Sequence, residues 1–150
     1  MRLASLALVA AAAVLLVAAT ADPKAQVAAR QAGMKQVGRN FKGINDQLHG
    51  AHDAATLKAQ THELAELAKR AHTWFPKGSG AEAGVKTAAK PEIWTNRRDF
   101  DAKAAAFAKA SIALSNAAAR SADPAVLGPL AGQVGGACKG CHTTYKLSDH

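Results

Sequence analysis

Bulky side chains are scarce in this chain. Its 150 residues include four Phe, two Trp, one Tyr and two Met. β-Branched residues are also few, which argues against a sheet. Alanine takes their place, with 38 residues, 29 of them after residue 21. Ala favours helix but adds little area to a core. A core built this way is thin, and a bulky apolar ligand inside it would help. Cysteine is nearly absent too. Cys138 and Cys141 stand three apart, and a disulfide between them would staple almost nothing.

Long charge runs and long apolar runs are missing as well. No run of like charge exceeds Arg97-Arg98, although 19 Lys and Arg face 11 Asp and Glu for a net +8. An exported chain without a basic motif is a poor nucleic-acid binder. Its positive surface suits an acidic redox partner or a membrane surface. The apolar run Leu6–Ala18 is short for a spanning helix. It follows Arg2 and precedes Ala19-Thr20-Ala21, the order of a secretory signal. Met1–Ala21 is therefore expected to be removed, leaving 22–150 as one domain in the periplasm, with no stable membrane insertion. No Cys follows the cleavage site, which argues against a lipoprotein.

Four helical segments can be read in the remainder. Asp22-Pro23 is a start signal, a capping residue followed by Pro at the first helical position. The first segment carries Val27, Met34, Val37, Phe41, Ile44 and Leu48 on one seam, ending at His49-Gly50. Arg30 falls on the same seam, and a charge there needs a partner. Asp53 caps a second segment with Leu57, Gln60, Leu64, Leu67, Ala71 and Trp74 in the same rhythm. The stretch from Pro76 to Pro91 holds Gly78, Gly80 and Gly84 and reads as a surface loop. Pro91-Glu92-Ile93-Trp94 is a short apolar return to the core. The third segment starts near Asn96 or Asp99 and turns Phe100, Phe107, Ser111, Leu114 and Ala118 inward. Asp123-Pro124 repeats the first start signal. The fourth segment carries Leu127, Leu130, Val134, Cys138, Cys141 and Tyr145, among glycines that make it a poor helix by propensity. The expected fold is all-α, an antiparallel four-helix bundle.

Cys138-Lys139-Gly140-Cys141-His142 is CxxCH, the c-type haem attachment motif. Two thiols add to the haem vinyl groups as thioethers, and the next imidazole reaches the iron. On a helix these residues stand at i, i+3 and i+4, on one face. A thioredoxin-like CxxC wants a preceding strand, which is absent. A zinc site would need a further ligand. Of the remaining histidines, His49, His52 and His62 read as surface residues, His72 lies beside the seam, and His150 is terminal.

With this motif nine residues from the end, the chain resembles the class II c-type cytochromes, the family of cytochrome c′ and cytochrome c-556. Arg30-Gln31-Ala32-Gly33-Met34-Lys35 resembles the family's RxxxMK pattern. Pro91-Glu92-Ile93-Trp94 followed by Phe100 resembles its PEIW…F, and CKGCHTTYK from Cys138 to Lys146 resembles its terminal string. The resemblance implies one covalent haem c in a four-helix bundle, with His142 as axial iron ligand and Arg30 at a propionate. It also implies Met34 on the distal face, a sixth ligand if its sulfur reaches the iron, and Trp94, Tyr145 and Lys146 around the haem. If Met34 bonds, the protein is a low-spin electron carrier like cytochrome c-556. The FPKGSG loop before AKPEIW resembles that branch. If Met34 only packs, the iron is five-coordinate as in cytochrome c′ and binds NO or CO. Redox proteins or small gases are the expected partners, and a homodimer through the first two helices is the assembly the family implies. No acid/base pair flanks the distal position, so no catalytic residue and no enzyme activity are expected.

Overall fold

The computed structural model describes residues 22–50 and 53–148. The leader Met1–Ala21, with its cleavage site, and His52 and His150 lie outside the described residues. Four long helices form the bundle: α1 (Pro23–Leu48), α2 (Ala54–Arg70), α4 (Arg97–Ala118) and α5 (Pro124–Tyr145). A single turn, α3 (Glu92–Thr95), precedes α4.

The helix starts follow the local signals. Asp22, Asp53 and Asp123 accept hydrogen bonds from the amides of Lys24, Thr56 and Ala125 at 3.1, 2.7 and 2.8 Å. Each satisfies a backbone donor the first turn leaves open. Pro sits in the first turn of α1 and α5, where its missing N–H costs nothing. The second helix changes character at its end. Ala71–Trp74 tightens into a 3₁₀ turn, and Trp74, half-buried, still packs against both apolar clusters of the core.

The core is aliphatic and narrow. Ile44, Leu57, Leu64, Leu114, Leu127 and Val134 are completely buried, each stabilising the fold by about 1.5–3 kcal/mol relative to exposure. A second apolar cluster joins Phe75, Ile93, Phe100 and Tyr145. Its rings meet edge to face, Phe75 to Phe100 at 4.8 Å and Phe100 to Tyr145 at 5.4 Å. Helix α5 packs mainly on α4 and much less on α1. Gln60, expected inward, is only half-buried and accepts a hydrogen bond from Gln47 at 3.0 Å.

The segment from 76 to 91 corrects the reading of a plain surface loop. Ser79 is fully buried and Ala83 nearly so. A 3₁₀ turn at Ala81–Ala83 ends on Gly84, whose φ of +69° suits a residue without Cβ. Ala89 then makes an isolated antiparallel bridge to Lys146. The loop runs inward because the buried Arg30 needs acceptors, and the loop supplies them. Among the described residues no helix is long and apolar enough to cross a membrane.

Candidate functional site

A cavity of about 540 Å³ opens between α1, α4, α5 and the loop. Its volume lies in the range of small-molecule and cofactor sites, ~300–1,000 Å³. From α1 it is lined by Arg30, Met34, Val37 and Phe41. Phe75 and Ile93 close one end, and Phe100, Lys103 and Phe107 come from α4. Helix α5 contributes Cys138, Cys141, His142 and Tyr145, with Lys146 just beyond. Met34, Phe41, Cys138 and Cys141 are half-buried although the spacing puts them on apolar seams. They pack partly against the apolar clusters and partly face the cavity.

The CxxCH string lies within the last turns of α5, so its three side chains share one face. Burial pushes both thiols above the ordinary range. Redox-active CxxC pairs have the opposite shift, a lowered pKa, commonly at a helix N-terminus. Thioether formation needs only two thiols on the wall of an apolar slot, and that is present. Among the described residues no three His, Cys, Asp or Glu side chains are grouped to hold a metal ion, so the zinc reading finds no ligand set.

Arg30 is 3% exposed. Its terminal nitrogens donate to Ser79 Oγ at 2.9 Å, the Ser79 carbonyl at 2.8 Å, Thr87 Oγ1 at 2.9 Å and, longer, the Trp74 carbonyl at 3.4 Å. The guanidinium also lies 4.8 Å from the centre of the Phe75 ring. Burial lowers its pKa, and Glu82 nearby opposes that shift. Arg30 thus borders the cavity while its terminal nitrogens hold the loop.

Tyr145 is 2% exposed and donates to Asp99 Oδ2 at 2.7 Å. Burial first, then the Asp99 carboxylate, push its pKa up to about 12. Trp94 packs against the cluster of Phe75, Ile93, Phe100 and Tyr145 beside the cavity. It is not on the cavity wall; its Nε1–H donates to the Pro76 carbonyl at 2.9 Å, and its ring lines a separate recess with His72, Lys77 and Arg97. Successive residues on a helical turn point about 100° apart, so the turn that places Ile93 on the cavity wall turns Trp94 toward the Pro76 carbonyl. Phe75, Thr87 and Ala89 also line the site. Nothing in their spacing marks them, because loop conformation brings them there.

The residues present fit a haem c. The slot is mostly apolar, two thiols and an imidazole lie on one wall, a thioether lies on α1, and cations border the cavity. Two apolar clusters flank it, as the walls of a flat apolar group would.

Known proteins point the same way. The family described as Cytochrome C′ matches residues 25–146. A cytochrome c′ of Allochromatium vinosum is 34% identical over 132 residues, 87% of this chain and 85% of that one. A cytochrome c-556 of Agrobacterium tumefaciens is 35% identical over 125 residues, 81% of this chain and 97% of that one. Among solved structures, a ferrous arginine-to-lysine variant of cytochrome c′ from Alcaligenes xylosoxidans with bound NO superposes with a TM-score of 0.77. It is 30% identical, and the match covers 87% of this chain and 99% of that one.

Proposed function

The chain belongs to the cytochrome c′ family and carries covalent haem c, and from this we propose that it is an exported electron carrier with its iron held between His142 and Met34. The observation that carries the reading is the placement of Met34 and His142. They line the same cavity from different helices, α1 and α5.

Haem c supplies a one-electron iron couple. The residues around it do the rest. Cys138 and Cys141 anchor one edge through thioethers, so the group cannot dissociate. His142 offers its imidazole from the same helix turn. Met34 offers a thioether from α1, and Met/His ligation raises the reduction potential. Phe41, Phe75, Phe100 and Phe107 would present apolar surface to the group. Arg30 would meet a propionate only through its Nε–H, since its terminal nitrogens already donate to Trp74, Ser79 and Thr87. Removal of Met1–Ala21 would place the protein in the periplasm.

The NO-bound relative favours a second reading. In that reading Met34 would only pack beside the haem, and the iron would be left free to bind NO or CO. A visible spectrum of the reduced, haem-loaded protein with and without CO separates the two. Electron carriage expects sharp low-spin bands that ignore CO, and Met34→Ala should convert them to a high-spin, CO-binding form. A wild type that is already high-spin and binds CO would leave gas binding as the function.

A further inference from the structure

The loop from 76 to 91 is a strap fastened at two places. At one, the Arg30 guanidinium donates to both oxygens of Ser79 and to Thr87 Oγ1, all at 2.8–2.9 Å. At the other, the loop pairs with the chain just beyond α5. The Leu147 amide donates to the Ala88 carbonyl at 2.8 Å, and the Lys90 amide to the Tyr145 carbonyl at 3.0 Å. Arg30 lies one turn before Met34 on α1. Tyr145 lies three residues after His142 on α5. Between the fastenings, Thr87, Ala88 and Ala89 form part of the cavity wall.

Helices α1 and α5 are weakly joined otherwise, since α5 packs mainly on α4. Where they do meet, α5 presents a glycine: a Cβ at Gly135 would stand 3.5 Å from the Phe41 ring. Without that Cβ, Gly135 supplies no side chain to hold the two helices together there. The strap does hold, through hydrogen bonds running from Arg30 to Tyr145 and Leu147.

We propose that this strap sets the spacing between α1 and α5, and that Arg30, Ser79 and Thr87 are positioning residues that decide how near Met34 comes to the iron. The inference rests on the reading that haem c fills the cavity with His142 as its axial ligand. The physics favours a stiff brace. A guanidinium is planar and its donor directions are fixed, unlike those of an ammonium. This one is buried, so releasing the strap strips acceptors from a desolvated cation. Losing one such bond to a charged group should raise the population of the open strap about tenfold or more. Thr87 is the most informative joint. Its Oγ1 accepts from Arg30 and also, at 3.2 Å, from the Ala89 amide next to the second fastening.

The test uses the mature haem-loaded protein with Thr87→Val, Ser79→Ala and the restoring Thr87→Ser. Amide hydrogen exchange reads the second fastening, while the visible spectrum and CO association to reduced iron read the helix spacing. In Thr87→Val we expect the Leu147 and Lys90 amides to exchange about tenfold faster. The same variant should show a changed spin state or a several-fold faster CO association, with Thr87→Ser restoring both. Ser79→Ala should act in the same direction. Unchanged exchange at Leu147 would show that the two fastenings are independent. Faster exchange with the wild-type spectrum and CO rate would show a loop tether without a positioning role. Either overturns the proposal. A wild type without covalent haem, seen by haem stain before any variant is made, would defeat the haem reading itself.

Discussion

The Tyr145 hydroxyl is buried and points its proton at the Asp99 carboxylate. Ionising it would bury a charge and set it beside the Asp99 carboxylate, so its pKa is pushed from 10.0 up to about 12. A proton held more tightly in the folded state stabilises the fold below the unfolded value near 10. That contribution fades as pH rises through about 12. Tyr145→Phe should therefore be less stable than wild type at pH 8, by about 1 kcal/mol for the lost hydrogen bond. The gap should narrow between pH 10 and 12, as urea unfolding of the two proteins at stepped pH will show. An equal gap at both ends would mean that another group carries the alkaline transition. The sequence flagged Arg30 as a charge needing a partner, but Ser79 and Thr87 lie 49 and 57 residues away. No local pattern links positions so distant.

Helix α5 forms against its own propensity, with Pro129 inside it and glycine at 128, 132, 135, 136 and 140. Packing of Leu127, Ala131 and Val134 against the neighbouring helices provides what propensity withholds. The glycines do not all serve close approach. A Cβ at Gly132 would meet nothing within 4 Å, whereas one at Gly33 on α1 would stand 2.8 Å from the Trp74 ring. Gly132→Ala should thus stabilise the protein by about 0.5–1 kcal/mol, through a less flexible unfolded chain. Gly33→Ala should destabilise it, because the indole must move. Thermal unfolding of the two variants checks the signs, and the reverse order would overturn this packing argument. The helix starts were legible because Asp caps and Pro at the first turn act within three residues. The inward course of the loop was not, because it answers a buried guanidinium on another helix.

Across the whole molecule, the alanine-rich composition predicts a core that gains from a large apolar ligand. The structure divides the buried apolar residues into two clusters around a cavity of about 540 Å³. A group bound only in the folded state stabilises it, and a covalent one does so permanently. Cys138→Ser with Cys141→Ser should remove covalent haem and lower stability by roughly 3 kcal/mol or more, the scale of a tightly held ligand. Haem-stained denaturing gels and urea titration read the two effects. Persistent covalent haem would sink the attachment assignment, and unchanged stability would sink the argument from the thin core.

The sequence by itself determined the number and order of the long helices, the capped starts of α1, α2 and α5, and the single face shared by Cys138, Cys141 and His142. These are consequences of interactions between residues one to four apart, which the chain carries wherever it folds. Only the tertiary structure decided that Ile93 rather than Trp94 enters the cavity, that Phe75, Thr87 and Ala89 line it, and that Arg30 holds the loop. Those outcomes depend on where a turn places side chains relative to distant helices. Spacing along one helix cannot report the distance to another, because packing between elements sets it.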